Sequence, residues 1–143
     1  MSVRYELFAA GSASPDDLWG LVGEPRRLPE WTDVRQVEVG AEPLVVGTAV
    51  TVREDSQTLH FTVTTLEERL IEGIADTERG RIGIGIRVVR DPLGSRLILA
   101  GFHEPAGALD RWRVRLATAP AVRRRFDTWA ERALEVARSR PAP

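Results

Sequence analysis

The sequence predicts an α+β fold in which a curved antiparallel sheet of about six or seven strands wraps around one long C-terminal helix. Between Val34 and Phe102, apolar and polar residues alternate in short segments. Turn residues such as those of Asp91–Gly94 separate the segments about every 8 to 12 residues. An apolar stripe with helical spacing then runs from Val122 to Val136. The length of 143 residues suits a single domain, 1–143, with one core.

The first predicted elements are a strand and two short helices. The strand covers Val3–Phe8, where the side chains alternate in character. Ser14 is expected to cap the first helix, Pro15 suits its first turn, and Gly23 ends it. The second short helix is expected at residues 24–31, where two prolines interrupt the pattern.

The middle of the chain predicts a meander of successive antiparallel hairpins. Six further strands are expected, at residues 34–39, 48–54, 58–64, 70–76, 82–88 and 96–102. Helical structure is expected again at residues 109–116 and along the final stripe, with a frayed tail at residues 141–143. Because a curved sheet and a straight helix do not match along their full length, we expect a cavity between them, and such cavities bind small molecules.

The composition excludes several kinds of chemistry. The absence of cysteine excludes disulfides, thiolate zinc sites and cysteine nucleophiles, and two histidines, His60 and His103, are too few for a histidine-rich metal site. All 20 basic residues are arginine, which excludes lysine Schiff bases and Walker-type phosphate loops. The glycines at residues 80–85 have the wrong spacing for a dinucleotide-binding loop. We therefore expect no metal and no cofactor.

Four segments carry a resemblance to a known family, and they occur in order along the chain: Ser14–Trp19, Leu28–Val34, Val45–Thr48 and Arg125–Trp129. Together with the order of elements, they resemble the START-like superfamily, also called SRPBCC, and within it the polyketide cyclase/dehydrase-like proteins. The resemblance covers nearly the whole chain and implies a helix-grip fold with a hydrophobic cavity. It does not imply one reaction, because members include cyclases, lipid carriers and plant ligand binders.

The first functional hypothesis is the binding of a hydrophobic small molecule, lipid-like or polyketide-like, in the cavity between the sheet and the C-terminal helix. Its lining is expected to be aliphatic and aromatic, and the candidates are Trp31, Val50, Val52, Phe61, Ile74, Ile84, Ile86, Phe102, Trp112, Phe126 and Trp129.

Two alternatives remain open. The first is an enzyme of the polyketide aromatase/cyclase type, in which a buried polar group transfers protons. In the cyclases that the chain resembles, an interior arginine is proposed to orient a substrate oxygen, and Arg96 is the candidate here, with His103 as a second. The other alternative is a non-catalytic interaction or regulatory protein that uses the basic residues 107–140, where nine arginines accompany four acidic residues. Nucleic-acid binding is not expected, because no aromatic residues interleave with these arginines in a stacking pattern.

The remaining expectations concern location and assembly. Residues 1–10 lack the apolar core of a signal peptide, and no apolar run approaches the length of a membrane helix. The sequence therefore favours a cytoplasmic protein, and the use of arginine without lysine favours a bacterial source. A monomer or a homodimer is expected, and the identity of the ligand is left open.

Overall fold

The computed structural model describes residues 3–107 and 119–139. In this part of the chain, seven strands form one antiparallel sheet in the order β1-β7-β6-β5-β4-β3-β2. The elements are β1 (Val3–Gly11), α1 (Pro15–Val22), a 3-10 turn (Pro25–Arg27), α2 (Leu28–Trp31), β2 (Gln36–Val39), β3 (Ala49–Arg53), β4 (Thr58–Glu67), β5 (Leu70–Thr77), β6 (Gly80–Asp91), β7 (Gly94–Pro105) and α3 (Ala119–Ser139).

The predicted architecture is confirmed: a curved antiparallel sheet, two short helices after the first strand and a long C-terminal helix. Several strands extend beyond their apolar alternation. β6 and β7 stay paired from Gly80↔Pro105 to Asp91↔Gly94. Strand pairing uses backbone hydrogen bonds, so it can continue where the side chains no longer alternate in character. The helix expected at residues 109–116 and the tail at residues 141–143 lie outside the described residues.

Helix α1 begins and ends where the sequence predicts. The Ser14 hydroxyl accepts a hydrogen bond from the backbone N–H of Asp17 at 3.1 Å, which satisfies one free donor of the first turn. The Gly23 N–H donates to the Trp19 carbonyl at 2.8 Å and closes the helix. Its apolar side, with Leu18 fully buried, packs toward β6, β7 and α3.

One half of the sheet is tightly covered, and we call it the packed half: β1, β7 and β6, together with α1 and α3. Leu97 and Leu99 of β7 are fully buried there, with no exposed surface. Helix α3 places Ala130 and Ala133 at the contact, and these small side chains let the helix approach closely.

The other half, which we call the open half, consists of β3, β4 and β5. Its described core is a small cluster of Val34, Val50, Val52 and Val63. The register of β4 against β5 shifts between Val63 and Thr65, and a bulge of this kind bends a strand and increases its twist. Because α3 packs chiefly against β1, β7, α1 and α2, the bent open half diverges from the helix.

Candidate ligand-binding cavity

A cavity of about 940 Å³ lies between the inner face of the sheet and α3, as the described residues form it. Side chains of the open half, β6, α2 and α3 make its walls. This volume lies within the range of small-molecule sites, which is roughly 300 to 1,000 Å³.

Most of the residues expected to line a cavity are brought together there. The alternation of each strand places one set of side chains on the inner face, and α2 and α3 supply the aromatic side chains. The expected residues that line the cavity are Trp31, Val50, Val52, Phe61, Ile84, Ile86, Phe126 and Trp129.

Two expected lining residues require correction. Ile74 and Phe102 both pair with Gly83, and all three therefore point to the outer face of the sheet. There they border a second depression, of about 530 Å³. The eleventh expected residue, Trp112, lies outside the described residues.

The cause of the error on β7 is a pair of glycines that neighbouring rings cover. A Cβ at Gly101 would overlap the Tyr5 ring on the inner face, so Tyr5 occupies the place of a β7 side chain. A Cβ at Gly83 would overlap the Phe102 ring on the outer face. The inner-face aromatic at this level of the sheet is therefore Tyr5 of β1 and not Phe102.

Tyr5 is a cavity residue that the sequence-based hypothesis did not include. Its ring meets Phe126 edge-on, with the ring centroids 5.7 Å apart, and it borders the cavity. Burial raises the pKa of its hydroxyl above the ordinary value of a tyrosine. Within the described residues, this hydroxyl has no hydrogen-bond partner. The position of Tyr5 on the same face of the strand as Val3 and Leu7 was the signal that could have identified it.

The two catalytic candidates lie on opposite faces of β7. Arg96 points outward, is exposed and pairs with Asp91 at 2.9 Å, so it is not an interior arginine. His103 shares the inward direction of Leu97 and Leu99, is only 7% exposed and borders the cavity.

The hydrogen bond of His103 defines its tautomer. Nε2 lies 3.1 Å from the backbone carbonyl oxygen of Arg79, and because a carbonyl only accepts, Nε2 must carry a proton. In the neutral ring, Nδ1 is then the hydrogen-bond acceptor.

One end of the cavity is polar, and we call it the polar mouth. The β3–β4 and β5–β6 turns and the first turns of α3 meet there. Several residues of the polar mouth are exposed, so the cavity opens to solvent at this end. Its residues are Glu54, Ser56, Gln57, Thr77, Glu78, Arg79, His103 and Arg125.

A group of charges connects α3 to the sheet at the polar mouth. Arg125 Nη2 lies 3.4 Å from Glu54 Oε2, and its guanidinium carbon lies 4.8 Å from the ring centroid of Trp129. The Trp129 N–H donates to Asp33 Oδ2 at 3.1 Å, and Arg132 Nη1 lies 3.8 Å from Asp33 Oδ1. Sequence spacing could not reveal this group, because its members come from three separate parts of the chain.

The deep end of the cavity contains Trp31, which is 1% exposed. Its indole N–H finds no acceptor within the described part of the chain, and an unpaired buried donor costs about 1 to 3 kcal/mol. The burial of the large ring must offset that cost.

Other kinds of site are not seen in the described residues. In residues 3–107 and 119–139, no group of three or more histidine and acidic side chains could hold a metal ion. The described helices include none with the length and apolar character needed to span a membrane.

Comparisons with solved structures agree with this geometry. The aromatase/cyclase Zhui from Streptomyces sp. R1128 superimposes with a TM-score of 0.79 at 16% identity, over 98% of this chain and 96% of that one. Protein MLL2253 from Mesorhizobium loti gives a TM-score of 0.75 at 14% identity, over 98% of this chain and all of the other. At such low identities, these likenesses establish the fold.

The di-domain aromatase/cyclase StfQ of the steffimycin biosynthetic pathway gives a TM-score of 0.75 at 13% identity. The match covers 97% of this chain and 51% of that protein, so the chain spans about half of the di-domain protein. A comparison with the sequences of curated proteins gives no significant match. The model of one protein family matches residues 6–136, and the chain therefore belongs to the polyketide cyclase/dehydrase and lipid transport family.

Proposed function

We propose that the protein binds a hydrophobic small molecule in the cavity between the sheet and α3. The observation that carries the proposal is the 940 Å³ space, lined by apolar side chains over most of its surface and polar at one end. A folded protein rarely leaves so much apolar interior unfilled without a ligand to occupy it.

The distribution of side chains gives the ligand an orientation. Val50, Val52 and Phe61 of the open half, with Ile84 of β6, form an apolar wall. A ligand with an apolar body and one oxygen-bearing end would place the body against this wall and the oxygen at the polar mouth, because burying an unpaired polar group is costly.

The first test is native mass spectrometry of freshly purified protein, compared with its denatured mass. A reproducible extra mass that leaves on denaturation supports the proposal and gives the mass of the ligand. The same protein is titrated with Nile red, an uncharged lipophilic dye. The absence of both an adduct and dye binding would overturn the proposal.

A matched pair of variants locates the binding. Ile84 and Ile74 are both half-buried, but Ile84 pairs with Gly73, the residue before Ile74, so the two side chains lie on opposite faces of the sheet and only Ile84 lines the cavity. We expect Ile84→Trp to fill part of the cavity and weaken Nile red binding by about tenfold, which corresponds to about 1.4 kcal/mol. Ile74→Trp should leave dye binding unchanged, and circular dichroism of both variants controls for folding.

A second candidate function, catalysis of the aromatase/cyclase type, is favoured by His103. Its protonated Nε2 is held by a backbone carbonyl, and Nδ1 is the atom that would accept a proton from a substrate in the cavity. The test is incubation with a thioester analogue of a poly-β-ketone. We expect His103→Gln to lose about a hundredfold in the rate of ring formation while retaining Nile red binding. An unchanged rate would exclude His103 from the reaction.

A further inference from the structure

Arg125 is a cavity-lining cation that keeps its hydrogen-bonding capacity. Its guanidinium carbon lies over the Trp129 ring, 4.8 Å from the centroid, and this cation–π contact restrains the side chain. No hydrogen bond from its side chain occurs within the described residues, where its acidic neighbours lie at ion-pair distances of 3.4 Å (Glu54) and 3.9 Å (Asp33). A preorganised group with unused N–H donors therefore borders the apolar cavity.

The charge of Arg125 is nevertheless offset. The side chain of Glu54 is only 12% exposed, and the N–H₂ group of Gln57 donates to the same carboxylate at 3.4 Å. Asp33 lies between Arg125 and Arg132. These two carboxylates and two guanidinium groups sum to zero charge. Within the polar mouth, Glu54 and Glu78 likewise balance Arg79 and Arg125, so donors are offered there without an excess of positive charge.

From this arrangement, and resting on the proposed function, we propose that the Arg125–Glu54 pair makes the cavity select uncharged, oxygen-bearing molecules over carboxylates. A neutral carbonyl or hydroxyl oxygen accepts from the free donors of Arg125 and leaves the ion pair intact. A ligand carboxylate at the same place meets the charge of Glu54, whose side chain is mostly buried, at short range. If it displaced Glu54, it would leave a mostly buried carboxylate without its partner.

The volume of the cavity does not distinguish fatty acids from neutral oxygen-bearing molecules of similar size, but the Arg125–Glu54 pair does. A lone guanidinium beside an apolar cavity would form a two-pronged receptor for a carboxylate and would favour fatty acids. With Glu54 already at 3.4 Å, the preference is reversed, and neutral ketones, phenols and alcohols are favoured.

The experiment uses three probes of nearly equal shape: 9-anthracenemethanol, 9-anthracenecarboxylate and 9-methylanthracene. Dissociation constants are measured by fluorescence anisotropy of the probe at neutral pH and low salt. The wild-type protein should bind the alcohol most tightly and the carboxylate about tenfold more weakly. The methyl compound should lie between them, because it lacks both the hydrogen bond and the charge.

Two variants should change the order of affinities in different ways. In Glu54→Gln, the carboxylate should gain about tenfold in affinity while the alcohol changes by less than about threefold. In Arg125→Met, which keeps an unbranched stem but has no N–H donor, the preference for the alcohol over the methyl compound should disappear. The matched control is Asp55→Asn, which removes the neighbouring carboxylate; Asp55 is exposed and pairs with Arg35.

The possible failures are distinguishable. If no probe binds the wild-type protein and Nile red does not bind either, the proposed function fails. If the probes bind but the wild-type protein takes the carboxylate as tightly as the alcohol, only the selectivity proposal is overturned. It is also overturned if Glu54→Gln leaves carboxylate binding unchanged or if Asp55→Asn raises it equally.

Discussion

The packed half and the open half of the sheet use the same kind of strand for different purposes. In the packed half, Leu97 and Leu99 are fully buried against α1 and α3. In the open half, the inner face meets a cavity over much of its area, and Leu59 and Phe61 remain partly exposed. The difference shows that one sheet can hold the fold together at one side and leave apolar surface available at the other.

Helix α3 is held differently on the two sides of the cavity. Small alanine side chains along α3 bring the helix close to β1, and this contact fixes the helix at one side. The ion pair of Arg125 with Glu54 then connects the helix to the β3–β4 turn. The helix is thus held by packing on one side and by a charge contact on the other.

The largest expected change in stability comes from replacing a leucine by alanine, and its size should differ between the two halves. Leu97→Ala should lower the free energy of unfolding by about 2 to 5 kcal/mol, because it leaves a hole in a close-packed core. Leu59→Ala, on the cavity wall, should cost about 1 kcal/mol, because little packing is lost. Urea unfolding measures both, and equal costs would contradict the division into two halves.

The next effect tests the two glycines that aromatic rings cover. Gly101→Ala forces the Tyr5 ring away from β7 and into the cavity, and we expect a cost of about 1 to 3 kcal/mol with weaker Nile red binding. Gly83→Ala displaces the Phe102 ring on the outer face, where solvent can accommodate it, so the cost should stay below about 1 kcal/mol. Thermal unfolding and dye titration check both, and a loss of dye binding in Gly83→Ala would contradict the assignment of faces.

The smallest effect concerns the hydroxyl of Tyr5, which is the only tyrosine in the chain and therefore reports alone in a near-ultraviolet titration. Burial raises the pKa of this group, so its midpoint should lie above about 10 in the folded protein and return to about 10 in urea. Since the folded state holds this proton more tightly, the contribution to stability is complete below about pH 10 and decreases as the pH rises through the folded-state pKa. Identical midpoints would show that the ring is solvated.

Much of the fold could be predicted because each element carries a local pattern. The alternation in Leu59, Phe61 and Val63 gave the inner face of β4, and the spacing of Phe126 and Trp129 gave the buried side of α3. These are properties of neighbouring residues, which a single sequence contains.

The wrong assignments on β5 and β7 have different causes. Apolar residues occur on both faces of β5, so alternation did not distinguish Ile74 from Ile71, and the shift in register between Val63 and Thr65 removed the reference from β4. On β7, Gly101 left the inner position without a side chain, and the ring that fills it comes from β1. The pair of Arg125 and Glu54 depends on the arrangement of whole elements in space, which no local pattern encodes.

The order of the strands has an evolutionary consequence. The open half is one continuous piece of chain, residues 49–77, whereas the packed half joins β1 from the start of the chain to β6, β7 and α3 from its later part. The pairing of Val3 with His103 closes that distant connection. Descendants of this gene can therefore acquire a different residue at position 54 or a different apolar wall through changes in a single contiguous stretch, while the inherited long-range contacts that join β1 to β7 and α3 remain intact.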